Sequence, residues 1–178
     1  MQTRTFKIEK AASTIEWVGK KVTGSHNGTI DVSDGVLTLA DGKLIGGEFT
    51  IATNSIKILD VTDPATNAQF AGHLASDDFF SIDKYPEATL TINSVTPGTG
   101  NAYHVEAVLT IKAITHSIEF EATIDSVQGD SLRASATLVV DRTKYEMKFR
   151  SGNFFKDLGD TLIYNDFILN IHLSAKAA

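Results

Sequence analysis

The 178 residues carry 22 acidic against 16 basic side chains, a formal charge of −6, and no cysteine. Disulfides, thiolate zinc sites and cysteine nucleophiles are thereby excluded, and the lack of any basic block argues against nucleic acid as a partner. With 42% apolar and 21% charged residues and no run long enough for a membrane-spanning helix, the chain reads as one globular domain over residues 1–178 with a sizeable core.

The opening MQTRTFKIEK is polar and lacks the apolar stretch of a signal peptide, so a cytoplasmic protein, or a mature form behind an added Met1, is expected. Apolar and polar residues then alternate with the period of a strand. The first candidates are Thr14 to Val22 around Trp17, Gly28 to Val32, Gly35 to Leu39 and Leu44 to Thr53, with Asp34-Gly35 and Asp41-Gly42 as turns between them. Gly46-Gly47 falls inside the last of these and predicts a bulge or sharp bend, which a closing barrel needs at its corners. From Asp63 to Lys84 the strand period lapses. Asp63 suits an N-cap and Pro64 the first helical position, while Phe70 and Leu74, four apart, give a narrow apolar stripe that also takes in Asn67. A helix inserted between strands is predicted, covering one mouth of a barrel or packing against its wall.

Alternation resumes at Ala88 to Val95. It is clearest in Tyr103 to Ala113 and in Ser117 to Asp125, where Ile118, Phe120, Ala122 and Ile124 share one face and Glu119 and Glu121 the other. Leu132 to Val140 and Ile163 to Leu173 repeat it, with turns at Pro97-Gly98, Gly100-Asn101 and Gly129-Asp130. About eight to nine strands joined by short turns make an antiparallel barrel or a sandwich.

Chemistry is sparse. His26, His73, His104, His116 and His172 show no histidine pairing at the i, i+4 or i, i+2 spacing of local metal ligands, so surface or turn roles are expected and no metal or cofactor is assigned. His26, in the turn GSHNG, could reach a polar head group at a barrel mouth. Asp77-Asp78 beside Ser76 reads as a turn cap rather than an acid/base pair, and Asp63, Glu146 and Asp166 are scattered. Asn165-Asp166 interrupts the alternation of the last strand, as a bulged strand end or as a head-group contact. No nucleophile elbow, phosphate loop or dinucleotide fingerprint occurs, so no enzyme is expected. The inward faces are apolar and relieved by small residues, Ala107, Ala113, Ala122, Ala134 and Ala136. Such an interior either interlocks as a core or leaves room for an apolar ligand.

Five blocks in order, STIEWVGKKVTGSHNGTI, GGEFTI, GHLASDDFFSIDKYPEATLTI, LTIKAITHSIEFEATI and DRTKYEM, resemble the YceI-like family over nearly the whole chain. The resemblance implies an all-β fold, an antiparallel eight-stranded lipocalin-like barrel, whose apolar tunnel holds a polyisoprenoid such as a quinone or prenyl diphosphate tail. It implies a structural signature at Asp77, Phe79, Phe80, Tyr85 and Pro86, and a periplasmic or secreted location beside the cytoplasmic alternative. Two positions depart from the family pattern: Ala113 and Glu146 stand where glycine is usual, the first expected to narrow the strand.

The expected partner is therefore a long apolar lipid, with no nucleic acid and no transmembrane segment, and with a second copy of the chain kept as a candidate. Trp17, Phe49, Leu90, Ile92 and Ala107 are expected in the tunnel wall, together with Leu109, Phe120, Leu138, Phe167 and Leu169. His26, Asn27 and Arg142 are the head-group candidates. An enzyme acting on a small apolar substrate, or a solid barrel that binds nothing, are the rival readings.

Overall fold

The computed structural model describes residues 2–149, 151 and 163–178. Among the described residues, nine strands and one α-helix follow in the order β1 (Thr3–Ile8), β2 (Thr14–Lys21), β3 (Gly24–Ala40), β4 (Lys43–Ile58), α1 (Pro64–Ala75), β5 (Glu87–Pro97), β6 (Ala102–Ile111), β7 (Ile114–Gln128), β8 (Ser131–Asp141) and β9 (Ile163–Ala177). Every pairing is antiparallel, and because β3 pairs with β4 as well as with β2, the sheet closes on itself. The barrel has eight strand positions, since β1 and β2 share one. β1 pairs with the far half of β3 and the end of β9, while β2 pairs with the near half of β3 and the start of β9. A 3-10 turn at Lys10–Ala12 divides the two pieces. Ser13 repairs the break: its hydroxyl accepts from the Ser174 N–H at 3.0 Å and donates to the Ser174 carbonyl at 3.3 Å.

Two expectations change. Asp34-Gly35 is not a turn, and the two predicted strands around it are the single long strand β3, with a register shift against β4 between Val32 and Asp34. Gly35 is needed for space: an added Cβ would lie 2.6 Å from the Phe49 ring and 3.0 Å from Ile8. Ala113 is not in the wall either. With Lys112 it forms the two-residue turn between β6 and β7, both at positive φ (55° and 61°), so it leaves the tunnel width untouched. The bend at Gly46-Gly47 is present, because β4 skips Ile45 between partners Thr38 and Leu39.

α1 forms where its capping residues place it: the Asp63 carboxylate accepts from the Thr66 N–H at 2.9 Å, and Pro64 opens the first turn. It lies over the end of the barrel where β2, β4, β6 and β8 finish. The opposite end is packed solid by Phe6 and Leu132, which are 0% and 1% exposed, and by Leu39 and Ala175. No described helix is long and apolar enough to cross a membrane.

Candidate functional site: a blind apolar cavity

Because side chains alternate across each strand, the inward residues of a barrel enclose a common volume. Here they do not fill it. A cavity of about 630 Å³ runs inward from the helix-covered end. Ile15 and Trp17 from β2, Leu90 from β5, Leu109 and Ile111 from β6, Leu138 from β8 and Phe167, Leu169 and Ile171 from β9 make its wall. Phe70, His73 and Leu74 of α1, with Phe79 and Phe80 beyond it, make its roof. Polar groups, Lys20, Lys21, His26, Thr66, Gln69, Arg142 and Asp166, gather at the mouth. Deeper in the barrel a second space of about 60 Å³ is lined by Phe49, Ile92, Val105, Phe120, Ala122, Ala134 and Ala136, among others.

Of the residues expected from the sequence, Trp17, Leu90, Leu109, Leu138, Phe167, Leu169, His26 and Arg142 line the larger cavity, and Phe49, Ile92 and Phe120 line the smaller. Ala107 lines neither. It faces inward on β6 between Val105 and Leu109, but its methyl group is too short to reach the space and it is only 2% exposed. Asn27 lies outside both as well, because on β3 it alternates with the inward-lining His26. Its N–H donates to Asp60 at 3.0 Å and its carbonyl accepts from the Leu59 N–H at 3.0 Å. The helix over one mouth is as expected from the sequence, but Phe70, Phe79 and Phe80 line the cavity as well, a role that the apolar stripe and the block GHLASDDFFSIDKYPEATLTI do not by themselves reveal.

Close backbone approach fixes the mouth. Trp17 donates from Nε1 to the Lys57 carbonyl at 3.1 Å, and its ring lies over Gly28, where an added Cβ would sit 2.7 Å from the indole and 1.7 Å from the same carbonyl. Phe70 of α1 packs edge-on to His26, with ring centroids 4.7 Å apart. His26 Nδ1 in turn lies 2.8 Å from the Asp60 carboxylate. Burial pushes the Asp60 carboxyl upward, but the Asn27 N–H and the His26 hydrogen bond and charge outweigh it and hold it below the usual carboxylate value. Asn67 ties the helix to the same connection, donating to the carbonyls of Ile58 and Val61, each at 3.0 Å. On the other side of the roof, His73 packs edge-on to Phe79 and Phe149 and points Nε2 at Asp78, 3.1 Å away.

Arg142 is first of all a clamp. Its guanidinium donates to the carbonyls of Met147, Tyr164 and Ile163, joining the segment after β8 to the start of β9. Burial lowers its pKa, which Asp141 partly offsets. Two threonine hydroxyls at the cavity are committed too: Thr53 donates to the Tyr85 carbonyl and Thr66 to Asp63, each at 2.7 Å. The expected cap at Asp77 accepts from Ser81 at 2.6 Å.

Among the described residues, one group has the makings of a metal-ligand set: His104, Glu106 and Glu119, whose ligand atoms lie within 4.8 Å of one another. It stands on the exposed outer face, away from the cavity. His104 Nδ1 meets Glu121 at 2.8 Å, and that hydrogen bond is the main reason its pKa is raised. The sequence carries this signal as His104 and Glu106, two apart on one strand, which the spacing of histidines alone does not register.

The model of the YceI-like domain family matches residues 6–175. Among solved structures, BcnA of Burkholderia cenocepacia superposes with a TM-score of 0.70 at 23% identity, covering 95% of this chain and 99% of that one. A polyisoprenoid binding domain from Saccharophagus degradans, implicated in plant cell wall breakdown, gives 0.69 at 13% identity, covering 97% and 98%. The YCEI protein of Campylobacter jejuni gives 0.59 at 22% identity, covering 75% and 73%. No curated protein matches the chain. At these identities the solved structures speak for the fold alone.

Proposed function

We propose that this chain, which belongs to the YceI-like family, binds and stores or transports a long apolar lipid, a polyisoprenoid with a quinone or prenyl diphosphate head, and performs no chemistry on it. The observation that carries this reading is the blind cavity of about 630 Å³, walled mainly by apolar side chains, with most of its polar groups towards its mouth. Burying hydrocarbon there releases roughly 0.8 kcal/mol per methylene, so about ten carbons supply the roughly 8 kcal/mol of a micromolar complex before ordering costs. A solid barrel would leave no such volume. Arg142, Thr53 and Thr66, three of the polar residues at the cavity, are already bonded within the protein, which supports a binding role over a catalytic one. The word polyisoprenoid belongs to the Saccharophagus degradans relative, and its extension to this chain rests on the shared family and the cavity. Family membership also supports export to the periplasm.

Because the contact area is apolar wall, the tail should set the affinity. Isoprenoids sharing one tail but differing in head group are expected to bind within about tenfold of one another, or ~1.4 kcal/mol. Calorimetry across such a series measures this, and native mass spectrometry of the purified protein identifies any lipid it retains. Strict dependence on one head group, or no binding of any isoprenoid, would overturn the reading.

A further inference from the structure

Ile15, Ile51, Leu90 and Ile171 are the only described residues that line both the larger and the smaller cavity. Ile15 and Ile171 are direct partners across β2 and β9, and Ile51 and Leu90 are close neighbours across β4 and β5. In the order of the closed sheet β9 and β5 stand on opposite sides of the barrel, so the two pairs face each other across its interior. Ala107, set between Leu109 of the upper space and Val105 of the lower, lies near the same level.

We infer that these four side chains form a neck that measures the lipid tail, admitting chains up to the capacity of the upper chamber and stopping longer ones. The inference rests on the carrier reading and adds the length of ligand it selects. An apolar cavity of about 150 Å³ holds one benzene, and on that scale 630 Å³ takes about 25 carbons, head group included, and 60 Å³ only two or three. Geranylfarnesol, with five prenyl units, fills the upper chamber. A further prenyl unit has to displace the neck, and the space beneath it ends on the packed floor of Phe6 and Leu132. Small side chains below the neck, Ala122, Ala134 and Ala136, leave a pocket that a narrower neck residue would join to the chamber above.

Trp17 is the single tryptophan and lines the upper cavity, so its fluorescence reports binding directly. Farnesol, geranylgeraniol, geranylfarnesol and hexaprenol form the test series. In the unaltered protein affinity should rise to geranylfarnesol and then break, with hexaprenol at least about tenfold weaker. Ile51→Ala should move the break one prenyl unit further, strengthening hexaprenol about tenfold. Adding Ala122→Leu to that variant should cancel the gain by refilling the lower space. Ile171→Val opens the same neck by one methylene and serves if Ile51→Ala does not fold. Affinity that keeps rising through hexaprenol, or a break that stays in place in the opened variants, overturns the neck while leaving the carrier intact. Failure of every alcohol to bind the unaltered protein overturns both.

Discussion

Ala113 and Glu146, where the resemblance led glycine to be expected, share a backbone conformation. Each has a φ of 61°, in the left-handed region that costs a residue with a Cβ roughly 1–2 kcal/mol. Ala113 completes the turn between β6 and β7, and Glu146 ends the 3-10 turn Arg142–Tyr145. Lys112 holds these loops together by donating from Nζ to the carbonyls of Glu146 and Asp77, each at 3.1 Å. Both positions are turn positions in this chain that would suit glycine, and the residues that stand there carry strain the rest of the barrel tolerates. Ala113→Gly and Glu146→Gly should each stabilise the protein by about 1 kcal/mol net of the added chain entropy. Urea midpoints measure this, and unchanged or lowered midpoints would count against it. Losing the exposed Glu146–Lys148 ion pair should matter little.

The elements legible in the sequence are those whose period was long enough to count. Tyr103 to Ala113 and Ser117 to Asp125 announced β6 and β7 because their inward and outward faces differ sharply, and α1 because Asp63 and Pro64 are capping residues in sequence as in space. β1 was missed, since only Phe6 and Ile8 of its six residues are buried, too few for a pattern. β3 was cut in two at Asp34-Gly35 because a glycine that avoids a clash looks in sequence like a glycine that turns. Most of the expected wall residues do line a cavity, but alternation gives the direction of a side chain and not the volume left beyond it, so the short reach of Ala107 and the part that Phe79 and Phe80 take in lining the cavity were not legible. The connection from β4 to α1 hangs on Asp60, and this gives a pH dependence. Its folded pKa is lowered, so its contribution is present above the ordinary carboxyl value of 3.8 and is lost as pH falls through the lower folded value. Asp60→Ala should speed amide exchange at Asn27 and Leu59 near neutral pH, and the difference from the unaltered protein should shrink as pH drops below 3.8. A difference that persists undiminished in strong acid would rule out the carboxylate as the tether.

At the scale of the whole molecule, the divided strand position gives the barrel a seam. From β5 to β8 each strand pairs with its sequence neighbour, and β8 pairs with β9, whereas β1 and β2 must find β9 from the other end of the chain; Ser13 and Ser174, bonded to each other, are 161 residues apart. Contacts so distant in sequence carry the largest loop-closure cost, which falls due before any of their stabilisation is gained. The seam should accordingly be the last pairing made during refolding, after the β5–β8 meander. Pulse-labelled amide exchange would show protection at Ile15, Trp17 and Leu169 lagging behind that at Val105 and Phe120, and simultaneous protection would refute this order. Until the seam shuts there is no enclosed interior, so a nascent chain holds most of its wall residues on an open, curved sheet. Capacity for lipid thus arrives in one late step, when the two ends of the chain come to lie side by side.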